Sequence, residues 1–347
     1  MKKLLVFAII IMIIIAGCKA QEITGGNIHI RNKEYDKAIE QFKIAAEKYP
    51  DQAGPYVSLS AAYYDKKDFK SAADELEKAI KINKQKARES IKWYESFLHV
   101  DNLEWSIFYN GAVIYRDEDL NRAFELVKLS EETESSEALS YSYNLHGNIL
   151  SLMDKNEEAM EYFKKSIEAN EKNINPYISL GRYYVIQREA KKAIPYLEKA
   201  MAIDSSSTEV SIALGQAYID QEEYGKAIRI LEKSADILKN SPGILYNLAL
   251  SYFQAGNYAS AIERVKEVIN LDGVEPEIKS RSYNLLGQVY ITDEKYNDAI
   301  NVLDEAIQNN PNNCEAYHLL AIAYLKIDNR QLSSKYADEW DKCLDRE

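Results

Sequence analysis

The sequence predicts an all-α solenoid, a stack of antiparallel helix pairs without a sheet. Three observations carry that prediction. Ala38, Ala72, Ala123, Ala159, Ala193, Ala227, Ala261, Ala299 and Ser333 follow one another at steps of 34, 51, 36, 34, 34, 34, 38 and 34 residues. Twelve residues before each of them stands another small residue: Gly26, Ser60, Gly111, Gly147, Gly181, Gly215, Ala249, Gly287 and Ala321. Six of these nine are glycine, drawn from only thirteen in the chain, so a structural need selects them. Finally, no run alternates apolar and polar residues long enough to make a strand, whereas Tyr177, Leu180 and Tyr184 repeat at helical spacing.

Nine units follow in order. The first, about 19–52, has a weak first helix because it holds both Gly25 and Gly26. Units two and three are 53–86 and 104–137. Units four to seven are 140–173, 174–207, 208–241 and 242–275, and units eight and nine are 280–313 and 314–347. In each, the small residue of the first helix lets the second helix approach, and the anchor Ala does the same from the other side. A larger side chain at either place would overpack the pair, at about 1–3 kcal/mol. Pro50 and Pro311 fall where a second helix should stop. The last second helix, 331–344, is the most polar, which suits a terminal helix with nothing stacked on it.

Three irregularities need their own reading. The 51-residue step leaves 87–103 as an insertion between an N-terminal part, 18–86, and a main array, 104–347. Ala87, Ile91, Tyr94 and Leu98 keep helical spacing there, so it is added helix, lengthening the preceding one or standing alone, and the best place for a bend. Asp101 with Glu104 reads as a capping box opening the next helix. The extra residues of 273–279, with Pro276, predict a longer turn, and the acidic stretch 131–137 predicts a solvated loop.

Strings such as Tyr143-Asn144-Leu145-His146-Gly147 and Tyr283-Asn284-Leu285-Leu286-Gly287 are near copies. With the 34-residue period, they resemble the tetratricopeptide repeat (TPR), a helix–turn–helix unit, over nearly all of the chain after Cys18. The resemblance implies a TPR-type right-handed α-solenoid of about nine repeats, whose first helices line an inner groove for a partner protein. In proteins of this kind the groove side chains come from places 2, 5, 9, 12 and 13 of each unit. Place 5 here gives Phe108, Asn144, Ile178, Ile212, Tyr246, Asn284 and His318; place 9 gives Ala112, Asn148, Arg182, Gln216, Leu250, Gln288 and Ile322. Place 12 adds residues such as Phe253. The implied partner site is therefore Asn144, Asn148, Ile178, Arg182, Ile212, Gln216, Tyr246, Leu250, Phe253, Asn284 and Gln288. Amides and Arg182 would bond a peptide backbone, and Tyr246, Leu250 and Phe253 would hold an apolar anchor. Packing between repeats explains each aromatic equally well. Place 5 carries no Lys in these units, so the carboxylate clamp of the chaperone-binding TPR subgroup is not expected.

The N-terminus reads as an address. Lys2 and Lys3 precede an apolar run, and the fourteen residues from Leu4 to Gly17 fall short of a bilayer span, which takes roughly 17–25. Ile15-Ala16-Gly17-Cys18 resembles the lipobox of bacterial lipoproteins. That resemblance implies a signal peptide, 1–17, cleaved before a Cys18 that carries the lipid; an ordinary secretory signal is the alternative. Lys19 in place of an aspartate favours the outer membrane, periplasmic face, over the inner.

The remaining chemistry is sparse. A net charge of −12 argues against a nucleic-acid partner. No phosphate loop, HExxH, CxxC or nucleophile elbow is present, and His29, His99, His146 and His318 sit in different units. No cofactor, metal or enzymatic activity is expected. Cys314 opens the first helix of the last unit and Cys343 closes its second. Those ends are neighbours in an antiparallel pair, so a disulfide and two free thiols both stay open. The expectation is a lipid-anchored, non-catalytic scaffold or adaptor of the bacterial envelope. A receptor for a glycan or small ligand, and last a cryptic enzyme, are the alternatives.

Overall fold

The computed structural model describes residues 21–132, 135–238 and 240–345. The signal segment, the lipobox and Lys19 lie outside the described residues. Among the described residues there are eighteen α-helices and no strand. In chain order they pair as α1 (Gln21–Arg31) with α2 (Tyr35–Lys48), α3 (Ala53–Asp65) with α4 (Phe69–Leu98), α5 (Leu103–Tyr115) with α6 (Leu120–Ser130), and α7 (Ser136–Leu152) with α8 (Asn156–Ala169). The series continues with α9 (Asn175–Ile186) and α10 (Ala190–Ile203), α11 (Thr208–Asp220) and α12 (Tyr224–Ile237), and α13 (Pro242–Gln254) and α14 (Tyr258–Asn270). It closes with α15 (Pro276–Thr292) and α16 (Tyr296–Asn309), then α17 (Cys314–Lys326) and α18 (Arg330–Leu344). The chain forms two compact units, Met1–Pro176 and Tyr177–Glu347.

Five of the pairs close on the same contact. A Cβ added at Gly181 would lie 2.5 Å from Leu197, at Gly215 2.8 Å from Leu231, and at Gly287 2.6 Å from Leu303. The leucine, sixteen residues on, fills the space the glycine leaves, and all three leucines are fully buried. In the first unit phenylalanine takes the same place, Phe42 against Gly26 and Phe163 against Gly147. The turn between paired helices is equally regular. Lys33, Lys67, Asp154, Arg188, Glu222, Gly256, Glu294 and Asp328 all have positive φ at the same place in the repeat. The next amide then bonds back to the carbonyl five residues earlier, as Asp68 does to Tyr63 and Glu223 to Tyr218. That six-to-one bond is the Schellman closure of a helix, and it offsets the cost of a left-handed residue.

The irregular segments depart from expectation. The insertion is helical, but it does not divide the chain. Asn83 leaves the helical region (φ −161°, ψ 100°), breaking α4 into 69–82 and 84–98, and its Oδ1 accepts from the Lys86 amide at 3.0 Å to start the second half. Residues 84–98 pack back onto the first repeats, and the described residues from Gln21 to Pro176 fall in one unit. The capping box is not formed. Glu95 Oε1 accepts from the Leu103 amide at 2.8 Å, and Glu104 faces Arg88 at 3.0 Å. The extra residues near Pro276 make helix instead of turn. Proline at the first position of α15 needs no amide partner, and α15 runs to 17 residues where α13 and α17 have 13. Nor is the acidic stretch simply solvated: Glu131 pairs with His146, and Glu132 with Lys84 and Arg88.

Cys314 and Cys343 are joined by a disulfide, their Cα atoms 5.4 Å apart. The bond spans 29 residues and staples the last helix pair, whose outer helix buries only Cys343. Closing a loop of that size removes roughly 3–4 kcal/mol of denatured-chain entropy.

Gly287→Ala should lower stability by about 1–3 kcal/mol. Gly225→Ala, with open space around the added methyl, should be neutral or stabilising by up to about 1 kcal/mol. Denaturant unfolding of both variants checks this. Replacing Cys314 and Cys343 together by Ser should speed amide exchange across 314–344 at least tenfold while leaving 177–270 unchanged, read by hydrogen-exchange mass spectrometry.

Candidate functional site

The first helices of the second unit supply the surface to test. Their place-5 and place-9 side chains do not all look outward, because the next repeat stacks against them. Three place-5 residues each meet place 2 of the following unit. Ile212 reaches Gly243 so closely that a Cβ there would be 2.7 Å away. The Tyr246 ring lies 5.0 Å beneath the Arg281 guanidinium. Burial pushes its phenol pKa up, and the arginine pulls it part of the way back. Asn284 donates to Asn313 Oδ1 at 2.9 Å and to Glu315 Oε2 at 3.1 Å.

Place 9 forms a second ladder. Arg182 Nη1 bonds Glu209 Oε1 at 2.7 Å, and Gln288 Nε2 bonds Glu315 Oε1 at 2.7 Å. Both acids stand at place 2 of the next unit. Where that place is Gly243, no acid is offered, and Gln216 turns along its own helix to Asp220 at 2.7 Å.

Two of the nominated residues are therefore packing residues. Asn284 is 2% exposed and Asn144 8%, so neither can meet a peptide without the repeats opening. Asn148 is half-buried on α7. In the second unit Ile178, Ile212, Gln216, Tyr246, Leu250, Phe253 and Gln288 are half-buried and Arg182 is exposed. Leu250 and Phe253 rest on the Leu285–Leu286 core and keep one side free. The structure thus keeps a ridge of apolar and amide side chains along α9, α11, α13 and α15, with its amide donors partly committed.

The sequence reading missed Arg281, the second cation of this surface. Its signal was its position at place 2, where the charged partners of the ladder lie. It also missed a cleft of about 460 Å³ between α15, α17 and the end of α18, lined by Arg281, Glu315, His318 and Trp340. The His318 and Trp340 rings are 4.2 Å apart. His146 is a core residue, 2% exposed and 3.8 Å from the Tyr162 ring. Among the described residues no group of three or more His, Cys, Asp or Glu could hold a metal ion.

Known proteins share this architecture. Family models of the tetratricopeptide repeat match residues 23–87, 140–173, 241–310 and 302–336. A model described as anaphase-promoting complex, cyclosome, subunit 3 matches residues 186–268. The protein is thus an α-solenoid built from tetratricopeptide repeats. A TPR repeat-containing protein of Methanocaldococcus jannaschii is 26% identical over 165 residues, 47% of this chain and 26% of that one. The chain spans about a quarter of the length of this curated relative. A tetratricopeptide repeat protein from Parabacteroides merdae superposes with a TM-score of 0.50 at 15% identity, covering 78% of this chain and 98% of that one. The C-terminal part of a TPR repeat-containing protein from Cytophaga hutchinsonii gives a TM-score of 0.50 at 18% identity, covering 67% and 94%. At these identities the likeness is one of fold.

Asn284→Ala should destabilise the protein by about 0.5–1.5 kcal/mol, since it removes two part-buried hydrogen bonds, to Asn313 and Glu315. Gln288→Ala, on the half-exposed ladder, should cost under about 0.5 kcal/mol. Thermal denaturation of the two variants distinguishes a packing residue from a surface one.

Proposed function

We propose that the protein is a non-catalytic scaffold or adaptor that captures a segment of a partner protein on the first-helix face of the second unit. One observation carries the reading. Tyr246, Leu250 and Phe253 are half-buried apolar side chains in a row with Gln216, Gln288 and Arg182, on a surface that the fold itself does not close. Such a row offers apolar burial for anchor residues and directed donors and acceptors for a backbone. Capture would be an equilibrium event without chemistry.

We further propose that the chain is a lipoprotein of the bacterial envelope, held through Cys18 and exposed to the periplasm at the outer membrane. The lipobox and the basic, apolar leader support this. The Cys314–Cys343 disulfide agrees with it, because such bonds persist in oxidising compartments. Among the described residues no helix is long and apolar enough to cross a membrane. Acyl chains there would raise the local concentration of the groove for membrane-bound partners. The cleft at Trp340 favours a second reading, a receptor for a small ligand or glycan stacked on the indole.

Two measurements test these readings. Cys18→Ala should move the protein from the membrane fraction to the soluble fraction of lysed cells; retention in the membrane would refute the lipid anchor. A photo-crosslinking residue at Gln216 or Leu250 should capture one protein that the same residue at Lys233, exposed on α12, does not. Equal capture from both faces would refute the groove, and capture from neither would favour the cleft.

A further inference from the structure

The two N-terminal repeats differ from the second unit in what covers their first helices. In the second unit places 5 and 9 of the first helices stay half-exposed or exposed, apart from Asn284. In the first two repeats Asn27, Val57 and Ala61 stand at those places, exposed by 9%, 1% and 1%, and Ile23 packs against the same core. A face that is open in the second unit is closed here, as it is at Phe108 and Ala112 of the third repeat, and the chain itself closes it.

The cover is residues 84–98. Ala87, Ile91 and Tyr94, at i, i+4 and i+7, form its one buried stripe and join the core cluster that holds Val57 and Ala61. The Tyr94 hydroxyl donates to Asn27 Oδ1 at 2.7 Å, tying the segment to place 9 of the first repeat. The Arg31 guanidinium lies 5.0 Å over the Phe97 ring. On the other side Lys84, Gln85, Lys86, Glu89, Lys92 and Ser96 face solvent. This is an amphipathic helix laid in a groove. Its ends are backbone breaks, at Asn83 on one side and at His99 and Asn102, both with φ of 55°, on the other. The helix is therefore a separate body hung between two joints. Its basic end is held by acids of the third repeat beside the groove: Lys84 and Arg88 pair with Glu132, and Arg88 with Glu104.

We propose that the first-helix face of the two N-terminal repeats is a helix-binding groove with residues 84–98 as its resident occupant, and that a basic amphipathic helix from a partner displaces it. The partner helix would carry a small residue, an aliphatic and a tyrosine at the same i, i+4, i+7 spacing, with Arg or Lys one residue after the small one. Asn27 selects the phenol, and Glu104 and Glu132 select the cation. The proposal is independent of the partner site assigned to the second unit.

The probe is a fluorescein-labelled peptide of residues 84–98, titrated into the full chain. Ile91→Glu in the protein puts a charge into the buried stripe and releases the resident helix without touching the groove. The peptide should bind this variant at least tenfold more tightly than the unaltered chain, and a peptide with Tyr94→Phe should bind about fivefold more weakly. Equal affinity for both proteins, no binding to either, or indifference to Tyr94→Phe would overturn the proposal. Should Ile91→Glu unfold the N-terminal repeats, hydrogen exchange on the unaltered chain decides. Amides of 84–98 exchanging at least tenfold faster than those of 70–81 support a detachable helix; equal rates refute it.

Discussion

The architecture rests on one steric constraint, the smallness of the residue where the two helices of a repeat cross. Leu197, Leu231 and Leu303 occupy the space that a Cβ on Gly181, Gly215 and Gly287 would need. That contact sets the spacing of the pair, and the spacing sets where the next pair stacks. The left-handed residue of the turn follows from it, because two helices this close need a short return. Most of those turn residues are not glycine: Lys33, Lys67, Arg188 and Glu222 accept positive φ. The chain tolerates that strain at the turn and keeps the crossing for Gly, Ala or Ser.

This division explains which parts of the fold were legible. The small crossing residues recur at a readable period because only Gly, Ala or Ser stands there, so nine pairs could be counted from sequence. Insertions were harder. The 273–279 segment looks like a turn, since Pro276 normally breaks structure, yet proline at the first position of a helix costs nothing. Asp101 and Glu104 have capping-box spacing, but Glu95 from the preceding helix caps Leu103, and Arg88 holds Glu104. Local patterns lost there to partners brought in by the fold, which no window of sequence displays.

The candidate surface was legible only in part, for the same reason. Repeat place says that a side chain stands on the first-helix face. It does not say whether the next repeat consumes it. Place 5 meets place 2 of the following unit, so its fate depends on a residue about thirty positions away. Ile212 packs on a glycine, Tyr246 lies under an arginine, and Asn284 is tied to Glu315 and withdrawn from solvent. Stacking and recognition thus draw on one set of side chains, and what is left for a partner is the remainder after the repeats have bound each other.

The N-terminal repeats carry that competition further. There the remainder is taken as well, by a helix of the same chain that uses the chemistry a partner would use: an apolar stripe, one phenol and a cation. A stacked array exposes such a face at every repeat, and an exposed apolar face invites unselective association. Filling it from within removes that liability at the N-terminal repeats. In the second unit the ladder of Arg182 with Glu209 and Gln288 with Glu315 covers only the polar part of the face. The apolar side chains between the rungs, Leu250 and Phe253, remain half-buried because no segment of the second unit is inserted to cover them. Exposure of this surface is therefore set repeat by repeat: Phe108 and Ala112 of the third are fully buried, whereas Leu250 and Phe253 are only half-buried.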